Sequence, residues 1–352
     1  MNAEVVLFNY TYGLIPRAFI GHIYYMLGGT NSFHQVLTFL IIEHIILTFI
    51  IIGCWYFIIK KAPRFKHKKI VAFIVPFSII ASFTSRANLG RSDEVLIAIA
   101  MLSTVILITD KFLFLLPVLA IIGELTHEGF TFLYANVLLA GLAYRFLTTK
   151  KKKYAICFAA SFIMISIWFL YFAFIGNHNE TAYYNIGNKA YEMMGRSFYK
   201  NFLDAEFLGV NLFKEELKAR PRAFIELGFY IIIMYPFVEK VIRYIVALLK
   251  SQKMHLIILG LGWLTLLPEY LLKLDFGRWT MALLIYLILV TLIALSYNDE
   301  DVLSLFEKNI LDNWGTGTLS YTKIGFLITN PFGAQAVCEA TLALYKFFHY
   351  FF

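Results

Sequence analysis

The chain has 352 residues, of which 60% are hydrophobic and 15% charged, with apolar runs recurring along its whole length. A helix needs about 20 such residues to cross a bilayer, so composition excludes an ordinary soluble domain. The formal net charge is +8. Its basic residues stand in short clusters between apolar runs, the pattern of cytoplasmic loops under the positive-inside rule, which excludes nucleic acid as the natural partner.

Lipid offers a spanning backbone no water to bond, and the runs show none of the alternation of barrel strands, so an all-α, polytopic membrane protein is expected. The reading gives about nine to ten transmembrane helices in a single transmembrane domain, 1–352. Cys54, Cys157 and Cys338 are odd in number, far apart and set in apolar sequence. They predict neither a disulfide framework nor a metal site and read as core residues. No basic stretch followed by an apolar core opens the chain, so no cleavable leader is expected.

Residues 1–31 are only moderately apolar and are broken by Gly13, Pro16 and Gly28-Gly29. They predict an interfacial or re-entrant element whose Arg17 needs a partner. The first long span, Val36 to Ile59, carries Glu43 and His44 and ends in Lys60, Lys61, Arg64, Lys66, Lys68 and Lys69. That cluster sets the cytoplasmic side. Ile70 to Phe83 leads out to a polar turn at residues 85–94, which holds Arg86, Arg91, Asp93 and Glu94. Val95 to Thr109 returns to Asp110-Lys111. Phe112 to about Leu125 goes out again, and Phe130 to Tyr144 comes back to Arg145 and Lys150 to Lys153. His127-Glu128 therefore sits at an outer turn, on the same side as Arg91 and Asp93.

Tyr154 to Ile175 crosses into the longest hydrophilic stretch, an extracytoplasmic loop at 176–222 that is expected to be partly helical. Ala223 to Val238 returns to a third basic cluster between Lys240 and Lys253. Met254 to Leu272 leads out to Asp275 and Arg278, and Thr280 to Tyr297 comes back to a cytoplasmic segment at 298–323. The final apolar stretch, 336–352, reads equally as a span or as a surface helix.

Ionisable residues at membrane depth cost roughly 2.5 to 3.5 kcal/mol on insertion scales and mark functional sites. His127-Glu128 is half of a zinc-protease motif, but Thr131 stands where the second His would be, so that motif is absent. No Gly-rich phosphate loop is present either. The outer inventory comprises Arg17, Arg86, Arg91 and Arg278 for an anion, with Asp93, His127, Glu128 and Asp275 for acid-base work. It suits a lipid-linked phosphate or diphosphate. Guanidinium groups pair two oxygens at once and can hold a leaving diphosphate without a metal or other cofactor, while a carboxylate or His takes the acceptor's proton.

The patterns G-L-I-P-R-A-F-I-G at 13–21, G-R-S-D at 90–93, T-H-E at 126–128 and D-F-G-R-W at 275–279, on this layout, resemble the Wzy-type polymerases of bacterial O-antigen and capsule repeat units. The likeness covers most of the chain as architecture. It implies glycosyl transfer between oligosaccharides on undecaprenyl diphosphate, at the outer face of the bacterial cytoplasmic (inner) membrane. It also implies a flippase and a chain-length regulator as partners beside the membrane lipids. Glu128, His127 and Asp93 are then the catalytic candidates, and Arg17, Arg86, Arg91, Asp275 and Arg278 the substrate contacts. Two alternatives are a polyprenyl-phosphate-sugar-dependent glycosyltransferase and a transporter or flippase of lipid-linked sugars.

The orientation is checked by single cysteines in a background lacking the native three. Asn88→Cys, His178→Cys and Phe276→Cys should react with an impermeant thiol reagent in intact cells, and Lys66→Cys and Lys151→Cys only after lysis. The reverse pattern would invert the topology.

Overall fold

A computed structural model describes residues 6–84, 89–176, 179–194, 239–268 and 276–311. Every regular element among them is helical. In chain order these are α1 (Ala18–Met26), α2 (Phe33–Lys61), α3 (Lys68–Thr84), α4 (Ser92–Thr109), α5 (Leu115–Thr126), α6 (Phe130–Leu133), α7 (Ala135–Thr149), α8 (Lys152–Phe174) and α9 (Glu180–Met194). They continue with α10 (239–250), α11 (Met254–Leu261), α12 (Phe276–Leu295) and α13 (Glu300–Phe306).

Three of these helices, α2, α4 and α8, are long and apolar enough to cross a membrane. Burial sorts them: 72% of the apolar window of α4 is buried, against 22% for α2 and 17% for α8. An all-round apolar helix can lie in a protein core or face lipid. Here α4 is the centre, packed on α2, α5, α7 and α12, while α2 and α8 turn most of their surface outward. At the end of α2, Lys60 and Lys61 fold their ammonium groups over the rings of Tyr56 and Phe57, each 5.9 Å from the centroid. Such snorkelling keeps the charge at a headgroup level while the stem stays apolar.

The three basic clusters converge on one end of the bundle. Lys153 and the Tyr154 hydroxyl donate to Asp110 at 2.6 and 2.7 Å. Burial by itself would raise the Asp110 carboxyl, but these two donors and the charges of Lys153 and Arg145 hold it below the usual range. Arg145 donates to Tyr154 at 2.7 Å and stacks 3.3 Å from the centroid of Tyr297. The Tyr144 hydroxyl donates to Asp299 at 2.8 Å, Lys253 pairs with Asp301, and the Lys66 amide donates to Glu307 at 2.8 Å. The mixed-charge segment that begins at 298 is helical from Glu300 to Leu311, with Val302, Phe306 and Leu311 buried.

Helix length decides what happens at the other end. At 1.5 Å per residue, the 12-residue α5 climbs only about 18 Å of a hydrocarbon layer of about 30 Å. α5 is therefore shorter than a full span, and the tip of the hairpin it forms with α6 and α7 carries His127-Glu128. The N-terminal segment fills the space above. Leu7, Phe8, Ile15 and Ala18 pack on Ala182, Ile186 and Ala190 of α9, and α1 packs on α5. Gly21 lets α1 rest on the chain before it, since a Cβ there would stand 1.9 Å from the Phe8 carbonyl oxygen.

The break between α6 and α7, at Tyr134, frees backbone groups that lipid could not satisfy. Instead, Thr265 donates to the Phe132 carbonyl at 3.1 Å, and Asn136 donates to Thr265 at 3.1 Å and to the Gly262 carbonyl at 3.3 Å. Both acceptor positions lie in the turn Gly262–Leu266, where α11 itself gives way. Two interrupted helices thereby fasten each other. The span expected at 223–238, most of the loop at 176–222, the remainder of 298–323 and the stretch 336–352 lie outside the described residues.

Close packing of α7 on α4 and α12 depends on Gly141, where a Cβ would come within 2.6 Å of Leu107 and 3.1 Å of Ile293. Small residues at such crossings let membrane helices approach. Gly141→Leu should destabilise the bundle by about 1 to 3 kcal/mol, read as a lower unfolding midpoint in detergent. Gly53→Leu on α2, where no atom lies within 4 Å of the added Cβ, should leave the midpoint unchanged. Equal behaviour of the two variants would contradict this packing.

Candidate functional site

The site is built on the tip of the α5–α6 hairpin. α5 ends as Thr126 turns its hydroxyl back to the Ile122 carbonyl at 2.7 Å and His127 takes an extended conformation. Its carbonyl then accepts from the Phe130 amide at 2.9 Å, which starts α6. Both His127 and Glu128 are 7% exposed. The tip is dry, so it differs from a helix end lying wet among headgroups.

Glu128 is paired by Arg17. Nε of Arg17 lies 3.0 Å from each carboxylate oxygen, and a terminal nitrogen closes on Oε1. This two-point grip is the strong form of a charge-assisted contact. It joins a residue expected to bind an anion to a residue expected to act as a base, and it supplies the partner that Arg17 required. The two ends of the pair are unequally placed: the Arg17 side chain keeps 30% of its surface, Glu128 only 9%. Arg17 also occupies the left-handed region at φ 64° as the residue preceding α1.

His127 Nδ1 accepts the Gly129 amide at 2.8 Å. A backbone N–H can only donate, so this nitrogen carries a lone pair, the ring is neutral and its proton sits on Nε2. The 3.6 Å approach of the same nitrogen to Glu128 is therefore proximity without an ion pair. The consequence is a neutral ring that carries its proton on Nε2.

One turn behind, Glu124 is fully buried and accepts from the Thr131 hydroxyl, while its second oxygen has no hydrogen-bond partner. On the neighbouring helix pair, the His44 ring meets both oxygens of Glu94 at 2.8 and 2.9 Å. A proton must lie on Nδ1 or on the carboxyl for these contacts to hold. Asp93, beside it in the first turn of α4, is 1% exposed, and both acids face a helix N-terminus that favours negative charge.

The structure thus joins Arg17, His127 and Glu128, and seats Arg91 and Asp93 at the start of α4. Arg278 falls in the first turn of α12, and Arg86 and Asp275 lie outside the described residues. Glu43, His44 and Glu124 were visible as charges inside apolar runs, but nothing in the sequence paired His44 with Glu94, 50 residues away. At the basic end, His255, Asp299 and Asp301 bring ligand atoms within 4.8 Å of one another. Asp299 already caps α13 through the Val302 amide at 3.1 Å and accepts from Tyr144, and Asp301 pairs with Lys253, so structural contacts account for this group.

No family model, no curated protein and no solved structure matches the chain.

Proposed function

We propose that the chain is a metal-independent polymerase of lipid-linked oligosaccharide repeat units, working at the face of the bacterial cytoplasmic membrane opposite its basic end. The observation that carries the reading is the buried Glu128 carboxylate gripped by the partly exposed Arg17 beside the Nε2–H of His127. It puts a base, a neutral ring and an anion-binding cation side by side.

In the reaction, an acceptor sugar hydroxyl attacks the anomeric carbon of the donor repeat. The new C–O bond forms as the bond from that carbon to the diphosphate oxygen breaks, and the hydroxyl proton passes to Glu128. The leaving undecaprenyl diphosphate keeps the electron pair and gains charge, which guanidinium groups stabilise. Arg17 is the nearest, with Arg86, Arg91 and Arg278 as further contacts. His127 Nε2–H and Asp275 orient sugar hydroxyls, and Asp93 supports the cations. A flippase would deliver the substrate and a chain-length regulator would limit the product. Transfer of a single sugar from a polyprenyl phosphate would use the same groups and give one added residue in place of a ladder.

A second reading, transport of lipid-linked sugars, is favoured by one observation: His44-Glu94 and Glu124 place titratable groups along the spans. Transporters gather such groups at broken helices near the midplane.

Purified protein in liposomes with lipid-linked repeats tests the proposal. The wild type should give a ladder of lengthened glycans, and Glu128→Gln, which keeps shape but loses basicity, should slow elongation by roughly a hundredfold at equal folded protein. Elongation by Glu128→Gln at the wild-type rate would overturn the assignment. Movement of substrate across the bilayer without elongation by the wild type would favour the transporter.

A further inference from the structure

We propose that the turn joining α4 to α5 and the turn joining α7 to α8 form one binding site for an anionic phospholipid. Lysines take the headgroup phosphate, and the rings of Phe112 and Phe114 take the apolar part of the lipid. The site lies at the basic end and rests on no part of the reading above.

The first turn reads Asp110-Lys111-Phe112-Leu113-Phe114, and the second brings four lysines in a row, Lys150 to Lys153. The two are tied together, because Lys153 donates to Asp110 at 2.6 Å. That bond answers one lysine. Lys111, Lys150, Lys151 and Lys152 are exposed, and no ion pair holds any of them among the described residues. Lys60 and Lys61, by contrast, rest on the rings of their own helix. Cations gathered on two tied turns attract an anionic leaflet, each by roughly fivefold in affinity.

Charge alone would suit any phosphate, and the rings decide for a lipid. Phe112 is 63% exposed and Phe114 68%, with their centroids 6.3 Å apart in an edge-on contact. Phe112 also holds φ 57°, in the left-handed region that bulky side chains rarely enter. Within this turn Leu113 is buried while the phenylalanines on either side of it are not. A soluble phosphate would gain nothing from two such rings, whereas apolar rings beside lysines suit the boundary of headgroups and acyl chains. The apolar surface continues past them. Val118 lies one turn along α5 from Phe114, and Ile156 one turn along α8 from Lys152, so each shares a face with the residue before it. Both are exposed, and α5 packs on α8. An acyl chain thus has a path along two adjoining helices that starts at the lysines.

The test uses the full chain in phosphatidylcholine nanodiscs carrying a minority of phosphatidylglycerol, and native mass spectrometry counts the phospholipids that stay bound on release. The wild type should retain phosphatidylglycerol in preference to phosphatidylcholine. Lys150→Gln, Lys151→Gln and Lys152→Gln combined should lower that retention by roughly tenfold or more. Lys60→Gln with Lys61→Gln, which removes charge from the same end, should retain as the wild type does. Phe112→Gly with Phe114→Ser keeps every charge and relieves the left-handed backbone, yet it should lower retention several-fold. All the replaced side chains are exposed, so each variant should unfold in detergent at the wild-type midpoint, which separates lost binding from lost fold. The wild type supplies a further measurement, since phosphatidylglycerol should raise its midpoint and inorganic phosphate should not. Equal loss from the two lysine sets, retention unmoved by removal of both rings, or equal stabilisation by inorganic phosphate would overturn the site.

Discussion

A carboxylate cannot be left alone in a dry site, and this constraint on Glu128 organises the outer end of the molecule. Burying one partner of an ion pair without the other costs several kcal/mol. A cation comes from 111 residues away, so the N-terminal segment closes over the hairpin tip to deliver it. Short α5, left-handed Arg17 and Gly21 against Phe8 all serve that closure. Pairing also explains why the segment is only moderately apolar: it has a protein surface to cover and a charge to deliver.

The two ends of the bundle are built differently. The basic end is cross-braced by contacts that tie neighbouring hairpins, among them Asp110 with Lys153 and Tyr154, Tyr144 with Asp299 and Arg145 stacked on Tyr297. Each of these groups is occupied by another part of the fold. The opposite end has long-range polar contacts concentrated on ionisable pairs, Arg17 with Glu128 and His44 with Glu94. Ionisable pairs buried among apolar helices carry a desolvation cost that exposed pairs escape. Between the ends, α4 fills the centre with aliphatic side chains, and interrupted helices α6–α7 and α11 satisfy each other through Asn136 and Thr265.

Two helices were legible where long apolar runs ended in charges: the expected span Val36 to Ile59 lies within α2, and Val95 to Thr109 within α4. The side of the bundle on which Lys66, Lys153 and Lys253 gather was legible for the same reason. His127-Glu128 was conspicuous because ionisable residues interrupt an apolar stretch. Its partner was not, since Arg17 lies in a segment whose Gly and Pro break any period, and pairing over 111 residues leaves no local trace. The helix break at Tyr134 was missed because Phe130 to Tyr144 is mostly apolar, interrupted only by Thr131, Asn136 and Gly141, and holds no Gly or Pro beside the kink. Its cause is tertiary, in the bonds that Thr265 and Asn136 supply.

The pairing itself is the claim on which this end of the bundle and the proposed chemistry both depend. A double-mutant cycle on unfolding free energy in mixed micelles, with Arg17→Gln, Glu128→Gln and the two combined, reads it directly. A joined pair predicts that Arg17→Gln alone removes the charged grip on a buried carboxylate and is the more damaging change. The double variant should then recover part of the loss, with a coupling of about 1 to 3 kcal/mol. Single effects that add to within about 0.5 kcal/mol would mean that the two residues do not meet, and would contradict the account.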